Sequence, residues 1–401
     1  MIASNFFLSL SLNIMNENIL LIGYSSQNMA SGVSLSFDSL IDGFKLIDYQ
    51  PEVIYIVDSR KSATYGSFSL TRVKDSLKAI FEALQKIPNQ EVIYMTISSS
   101  KLGFIRDMMI IWFAWFFKKR VILHLHGGGY KDFYLGQSSL FQKLIRSTLA
   151  KSTHIVVLGE LLRDQFYFVP DIDGKIKFIP NGLTTNLNTN LAKVKSLPST
   201  DQCLRLLYLS NLIPSKGYLI LLDACIKLIK NHGIRLICDF CGDFSLTVVD
   251  DKSLDVKKQK EDFFFKIKQA GLEDYIIYHG RVSGEKKEKM LREANFFVLP
   301  TFYSWEGQPL SIIEALAFGT PIISTYHKGI PEQVKDEYNG YLIKTNDPQE
   351  IIDAILKGIK SPDNYSTLSK NAIKHFQDHF TREVHLKRLI SLICEDDNIK
   401  I

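Results

Sequence analysis

Two carboxylates, Glu306 and Glu314, stand with seven residues between them, around a short apolar segment. Before them, Phe296 to Pro300 reads as a buried strand, and Thr301 to Gln308 as a loop. Pro309 suits the first turn of a helix, where its missing N–H costs nothing. Leu310, Ile313, Leu316 and Ala317 recur at helical spacing and are expected to face the core. Gly319 ends the helix and Pro321 prevents its return. The carboxylates then flank a helix N-terminus, whose open N–H groups and partial positive charge suit a phosphate. Each could accept hydrogen bonds from hydroxyls on either side of it. A diphosphate between two polyols, as in a nucleotide-sugar, has that shape. The plainer reading is a solvated Glu306 and a Glu314 favoured by the helix dipole.

Other residues could do related chemistry. The run Ser210 to Gly217 follows the strand pattern Leu204 to Leu209, and Tyr218 to Ile229 reads as a helix. Strand, loop with Lys216-Gly217 and helix form a second phosphate cradle, with Lys216 as a point charge; the alternative is a solvated lysine. His124-Leu-His126-Gly127-Gly128-Gly129 ends another strand. Ligands of open α/β sheets lie at the carboxyl ends of strands, and glycines let backbone approach them. The two histidines share a strand face, so only the position nearer the strand end favours His126. Either could be a satisfied core histidine. Gly242 follows the strand pattern Ile234 to Phe240 and would admit a base or ribose.

The segment from Glu306 to Pro321, E-G-x-P-x4-E-A-x-A-x-G-x-P, resembles the signature of the retaining nucleotide-sugar glycosyltransferases of GT-B fold, the family-four or group 1 type. The resemblance runs over most of the chain and is specific in its second half. It implies that Glu306 holds the sugar hydroxyls and Glu314 the ribose. Gly307, Gln308, Pro309 and Leu310 would line the donor, with Glu332 close by. Asn211 and Lys216 match the family's R-x4-K-G element, except that asparagine stands where arginine is usual. A neutral group makes the weaker hydrogen bond to a phosphate; Arg281, just past a strand end, is the candidate substitute cation. H-x-H-G-G resembles the family's mid-domain histidine motif and favours His126 as a catalytic group. Ser31-Gly32, with Gly127 and Gly128, would lie on the acceptor side. Pro180-Asn181-Gly182 resembles the turn that closes the family's first domain.

The elements that must position these residues alternate strand and helix. Strands are expected at Ile19–Gly23, Val53–Val57, Val92–Ile97, Val121–Leu125, His154–Leu158 and Ile176–Ile179, with helices from Val33, Leu70, Phe104 and Leu140. Such alternation means parallel sheets covered on both faces. Thr184 to Asp201, polar and poor in large apolar residues, reads as a linker. Phe244 to Lys260 reads as a polar surface excursion, and Glu285–Glu293, Gln349–Ile359, Leu368–Phe380 and Glu383–Cys394 as helices. The fold class expected is α/β, GT-B, with two Rossmann-like doubly wound domains facing across a cleft. The boundaries expected are 1–185 (acceptor side), 186–203 (linker), 204–375 (nucleotide-sugar side) and 376–401. By the resemblance, that final segment crosses back to the first domain.

The chain has 401 residues, 46% hydrophobic and 23% charged, with a net charge of +5. That length accommodates two domains. The charge is too mild and dispersed for nucleic acid, yet compatible with an anionic membrane surface. Five scattered cysteines suggest reduced thiols and a cytosolic setting. Cys238-x-x-Cys241 reads as two buried strand residues rather than a redox or zinc site. No window is long and apolar enough to cross a bilayer. Met1 to Ile14 lacks the basic start of a signal peptide, and Met15 is a second candidate start. Asp107 to Arg120 is apolar nearly all round and ends in three cations. Burial as a core helix is the expectation, and a face lying at the membrane the alternative.

With no Asp-x-Asp at a strand end and no His/Cys cluster, no metal and no cofactor are expected. The donor would be a UDP-sugar in preference to a GDP-sugar. The resemblance implies that the acceptor would be a saccharide or lipid-linked saccharide of bacterial surface polysaccharide assembly. That implies a cytoplasmic protein at the inner face of the membrane, in peripheral contact with anionic lipid. Two other classes remain open. A nucleotide-sugar epimerase of the same fold would interconvert sugars without an acceptor; a non-catalytic sugar-nucleotide-binding protein would bind donor without turnover, and Asn211 is the residue that supports it.

Overall fold

The structure, a computed structural model, describes residues 17–26, 31–56, 70–199, 202–247 and 254–394. The expectations for Met1 to Met15, Val57, loop positions 27–30, and 248–253 fall outside them. The chain divides into two compact units. One contains the described residues up to Thr184 together with those from Phe380 onward; the other runs from Thr185 to His379.

The first unit comprises β1 (Ile19–Tyr24), α1 (Gly32–Lys45), β2 (Glu52–Ile56), α2 (Leu70–Lys86), β3 (Val92–Thr96), α3 (Lys101–Phe116), β4 (Arg120–His124), α4 (Tyr130–Leu135), α5 (Ser139–Leu149), β5 (His154–Val157), α6 (Ile172–Lys175) and β6 (Ile176–Phe178). The strands form one sheet in the order β2-β1-β3-β4-β5-β6, with every pairing parallel. Parallel strands covered on both faces carry apolar side chains throughout, as in Ile19-Leu-Leu-Ile22, where all four are buried. Alternation sends Leu20 and Ile22 to the core under α2 to α5, and Ile19 and Leu21 to the core under α1. The last helix of the chain joins that second core, and its Leu386, Leu389 and Ile390 pack with Phe37 and Leu40 of α1.

The second unit comprises β7 (Leu204–Leu209), α7 (Tyr218–His232), β8 (Leu236–Cys241), α8 (Val256–Ala270), β9 (Ile276–Gly280), α9 (Gly284–Glu293), β10 (Phe296–Leu299), α10 (Leu310–Ala317), β11 (Ile322–Thr325), α11 (Ile330–Gln333), β12 (Gly340–Ile343), α12 (Pro348–Lys360) and α13 (Pro362–His379). The final helix, α14 (Arg382–Ile393), belongs to the first unit. The second sheet is also parallel, ordered β12-β11-β10-β7-β8-β9. Its order reverses between β7 and β10. Open α/β sheets bind ligands at such a reversal, outside the carboxyl ends of the strands.

Four expectations need correction. The segment 186–203 is part of the second unit rather than a bare linker. Lys195 anchors it, donating from Nζ to Leu291 O (2.8 Å), Ala294 O (2.5 Å) and Thr320 Oγ1 (2.6 Å), which satisfies all three ammonium protons. The polar excursion ends in a full helix, α8, because Gln259, Phe263 and Ile267 bury a seam one residue wide per turn. Strand β12 was not expected, and Glu332 lies in a short helix, Ile330–Gln333. Helix α3 is not enclosed: Ile105, Met109, Trp112, Trp115 and Phe116 are exposed along one side.

Candidate active site

The two loops that carry the strongest sequence signals leave β7 and β10, the strands flanking the reversal. The β7 loop closes in a tight turn, Pro214–Lys216, and Gly217 then opens α7 with φ 77°. A side chain is excluded there twice over. The backbone is left-handed, and a Cβ would lie 2.2 Å from Pro300 O at the end of β10. The loops are stitched by Phe302 N donating to Ser215 O at 2.8 Å.

This approach brings Lys216 and Glu306 together. Lys216 Nζ donates to Glu306 Oε2 at 2.8 Å, and Thr301 Oγ1 donates to the same oxygen at 3.2 Å. The lysine ammonium also lies 5.3 Å from the centre of the Tyr303 ring. Glu306 is only 6% exposed, so the solvated reading of this residue does not hold. A buried carboxylate is stable when paired and hydrogen-bonded, and both conditions are met.

Pro309 caps α10, whose first residue is Leu310. Leu310 is half-buried, not core, whereas Ile312 and Ala315 are buried along with Ile313, Leu316 and Ala317. The helix is enclosed almost all round, with its N-terminal end at the loop. Glu314 is 4% exposed and accepts from Lys287 Nζ (2.5 Å) and Thr185 Oγ1 (3.1 Å), both on Oε1. The loop is braced from the β11 side. Gln308 Nε2 donates to Glu332 Oε2 at 3.2 Å, and Gln333 Nε2 to Pro309 O at 3.1 Å. A Cβ on Gly329 would lie 2.7 Å from Gly307 O.

Along the other edge of this site, Gly242 has φ 140° and a Cβ there would lie 2.0 Å from Ser210 O. The β8 loop therefore packs directly on the β7 loop beside Asn211, which is exposed. Arg281 is exposed and pairs with Asp243 at 2.9 Å. Its charge is thus shared with a carboxylate, which weakens it as a replacement for an arginine at 211.

In the first unit, His126 follows β4. His124 and His126 stack with ring centres 3.9 Å apart, and Tyr94 Oη lies 2.6 Å from His124 Nδ1. His126 is partly exposed, but both its ring nitrogens are buried. Burial, with His385 nearby, pushes its pKa down to about 3, so the ring is neutral. His385, on α14, lies with Nδ1 2.7 Å from Pro180 O, and burial pushes its pKa down to about 4. Gly182 is required beside it, since a Cβ there would lie 2.4 Å from His385 Cβ. Gly127 and Gly128 continue from His126 toward α4. Ser31 caps α1: its Oγ accepts from Ser34 N at 3.2 Å, while Ser34 Oγ accepts from Ser31 N at 2.8 Å. The Ser31 side chain is therefore engaged in holding the helix, and Gly32 is the first helical residue.

Sequence reasoning missed Lys287, Thr301 and His385. Lys287 is one of three lysines in Gly-Glu-Lys-Lys-Glu-Lys289, and only burial against Glu314 distinguishes it. Thr301, a polar residue at a strand end, could have been found by that position alone.

Residues 192–375 match the family described as glycosyl transferases group 1. The amylovoran biosynthesis glycosyltransferase AmsK of Erwinia amylovora is 29% identical over 168 residues, 41% of this chain and 38% of AmsK. The putative colanic acid biosynthesis glycosyltransferase WcaL of Escherichia coli K12 is 30% identical over 132 residues, 32% of each chain. The aligned part thus spans about a third of the length of these curated relatives. Among solved structures, HepE of Anabaena, in complex with UDP and glucose, superimposes with a TM-score of 0.68 at 15% identity. That match covers 95% of this chain and all of the other. The likeness establishes the GT-B class of fold.

Proposed function

Since residues 192–375 belong to the glycosyl transferases group 1 family, we propose that this chain transfers a sugar from a nucleoside diphosphate sugar to a hydroxyl of a saccharide or lipid-linked saccharide, with retention at the anomeric carbon. The observation that carries this reading is the Lys216–Glu306 pair, 2.8 Å apart at the carboxyl ends of the two strands where the second sheet reverses.

In the reaction, the bond from the anomeric carbon to the β-phosphate oxygen breaks, and its electron pair stays on the phosphate. The acceptor hydroxyl forms the new bond from the same face, and its proton passes to the departing phosphate. Charge grows on that phosphate as the bond breaks. Lys216 and the N-terminus of α10 would meet it, in a site that already excludes water from Glu306. With those two sources of positive charge, no metal ion is required. Glu306, with Gly307 and Gln308, would hold the sugar, and Glu332 would hold Gln308. Glu314 would take the ribose, displacing Lys287. Gly242, packed on Ser210 O, would set the β8 loop beside the base, and His126, a neutral imidazole, would hydrogen-bond the sugar or the acceptor. UDP is the preferred carrier, supported by the UDP bound in HepE. The relatives in amylovoran and colanic acid biosynthesis support a surface-polysaccharide acceptor at the cytoplasmic face of a membrane.

The test is release of nucleoside diphosphate from UDP-, GDP- and ADP-sugars in the presence of EDTA. Slow release from one UDP-sugar is the expected result. No release from any donor, with or without added saccharide and lipid-linked acceptors, would overturn the proposal; stabilisation by a donor without turnover would leave a binding protein.

A further inference from the structure

The outward side of α3 carries a continuous apolar stripe. Ile105, Met109, Trp112, Trp115 and Phe116 recur at helical spacing, and Trp115 and Phe116 are 50% and 72% exposed. The opposite side, with Phe104, Ile111 and Ala114, is in the core. This helix is therefore apolar on both sides, for two different reasons. Exposed apolar groups scattered singly are ordinary, but a contiguous set marks a surface meant to be covered. The neighbouring helix α2 adds Leu77 and Phe81, exposed one turn apart. At 16 residues, α3 is too short to span a bilayer; it could only lie along one.

Charge indicates what covers the stripe. Between Lys101 and Lys151 the sequence holds nine lysines and arginines against two acidic residues, Asp107 and Asp132. The whole chain carries only +5, so this stretch supplies more than the entire excess. Asp107 is buried and neutralised by Arg106 at 2.6 Å. Lys101, Lys118, Lys143 and Arg146 are exposed and form no ion pair among the described residues. Lys151 Nζ sits 3.6 Å from the centre of a Trp115 ring and 4.5 Å from that of Trp112, and Trp112 Nε1 donates to Thr148 Oγ1 at 2.9 Å. Tryptophan and phenylalanine beside lysine are the groups that settle at the headgroup level of a bilayer. A second copy of this chain would set one cationic face against another, which disfavours self-association.

We propose that the outward face of α3, with the exposed residues of α2 beside it, docks on an anionic lipid bilayer. Trp115 and Phe116 enter the interface, and the surrounding lysines and arginines engage acidic headgroups. The inference deepens the lipid-linked acceptor part of the reading above and rests on it. It places unit one against the surface from which such an acceptor would be presented.

The experiment is co-sedimentation of the full chain with phosphatidylcholine vesicles, with and without phosphatidylglycerol. Binding is expected only with phosphatidylglycerol. It should weaken at least about tenfold in Trp115→Ser/Phe116→Ser, and roughly fivefold per cation in Lys118→Glu and Lys143→Glu. Melting temperature and nucleotide release from the donor in solution are read on the same samples and should match the parent, so loss of docking is distinguished from loss of transferase function. Should the aromatic variant fail to fold, the charge variants decide. Equal binding by parent and variants, no binding by the parent, or a parent dimer that the aromatic variant converts to monomers without any vesicle binding would each overturn the proposal.

Discussion

Lys287 on α9, partly buried, and Glu314 on α10, buried, form an ion pair, Nζ to Oε1, at 2.5 Å. The carboxylate proposed for the ribose is therefore held by a cation from a neighbouring helix. Removing one partner of such a pair leaves a buried charge uncompensated, at a cost of about 3–5 kcal/mol. Lys287→Met should lower the melting temperature markedly, and Lys287→Met/Glu314→Leu should recover most of the loss. Thermal unfolding of the four proteins in the cycle measures the coupling; a single variant that melts with the parent would show the pair to be of no structural consequence.

Lys216 and Glu306 should both be needed for turnover. Lys216→Ala removes the charge expected to meet the departing phosphate, so kcat for nucleotide release should fall about 10²–10³-fold. Glu306→Gln keeps the volume and the Thr301 hydrogen bond but loses the charge partner of Lys216. Its kcat should fall as well, and donor affinity with it, because this carboxylate is the group proposed to hold the sugar. If both variants turn over like the parent, the proposed reaction is not carried out at this site.

Much of the fold could be read from residue pattern because the parallel strands are nearly continuous apolar runs, as in Ile19 to Ile22 and Phe296 to Leu299. What escaped was of two kinds. Helix α8 presents only Gln259, Phe263 and Ile267 inward among many charges, so its period is hidden by composition. Strand β12, Gly340 to Ile343, opens on a glycine and leaves only three apolar residues to mark it. At the candidate site, motif residues such as Glu306 and Lys216 are contiguous with glycine and proline signals. The partners of Glu314, Lys287 and Thr185, are recognisable only once α9 and the start of the second unit are folded around it. Helix α3 was misjudged because uniform hydropathy cannot tell a buried side from an outward apolar one; exposure of Trp115 and Phe116 does.

Three glycines offer a graded test of the loop packing. Gly217 and Gly233 have similar backbones, φ 77° and 66°, but a Cβ on Gly217 would strike Pro300 O whereas Gly233 has open space around it. Gly233→Ala should cost about 1 kcal/mol, the strain of a left-handed alanine. Gly217→Ala and Gly242→Ala should cost more than about 2 kcal/mol, since backbone must move. They should also raise the KM for donor, because the moved loops carry Lys216 and Asn211. Urea unfolding midpoints and donor titrations provide both readings, and equal costs at Gly217 and Gly233 would contradict the packing described.

Acid should weaken the first unit through its histidines. His385 is buried with a folded pKa pushed down to about 4, and His126 to about 3, against an ordinary value of 6.5. Between those values and about pH 6.5 the unfolded chain binds protons that the folded unit refuses. Stability is therefore complete above about pH 6.5 and declines as the pH falls toward 4, by up to about 1.4 kcal/mol per pH unit for each such group. Asparagine at 385 would retain a polar group beside Pro180 O without titrating. In His385→Asn the loss of stability between pH 6.5 and 4 should be shallower than in the parent, even though the variant starts from a lower stability at pH 7.5. Carboxylates titrate over part of the same range in both proteins, so the difference in slope isolates the histidine. Parallel slopes in denaturant unfolding at half-unit pH steps would mean that His385 is protonated in the folded unit without penalty, contrary to its burial on the inner side of α14.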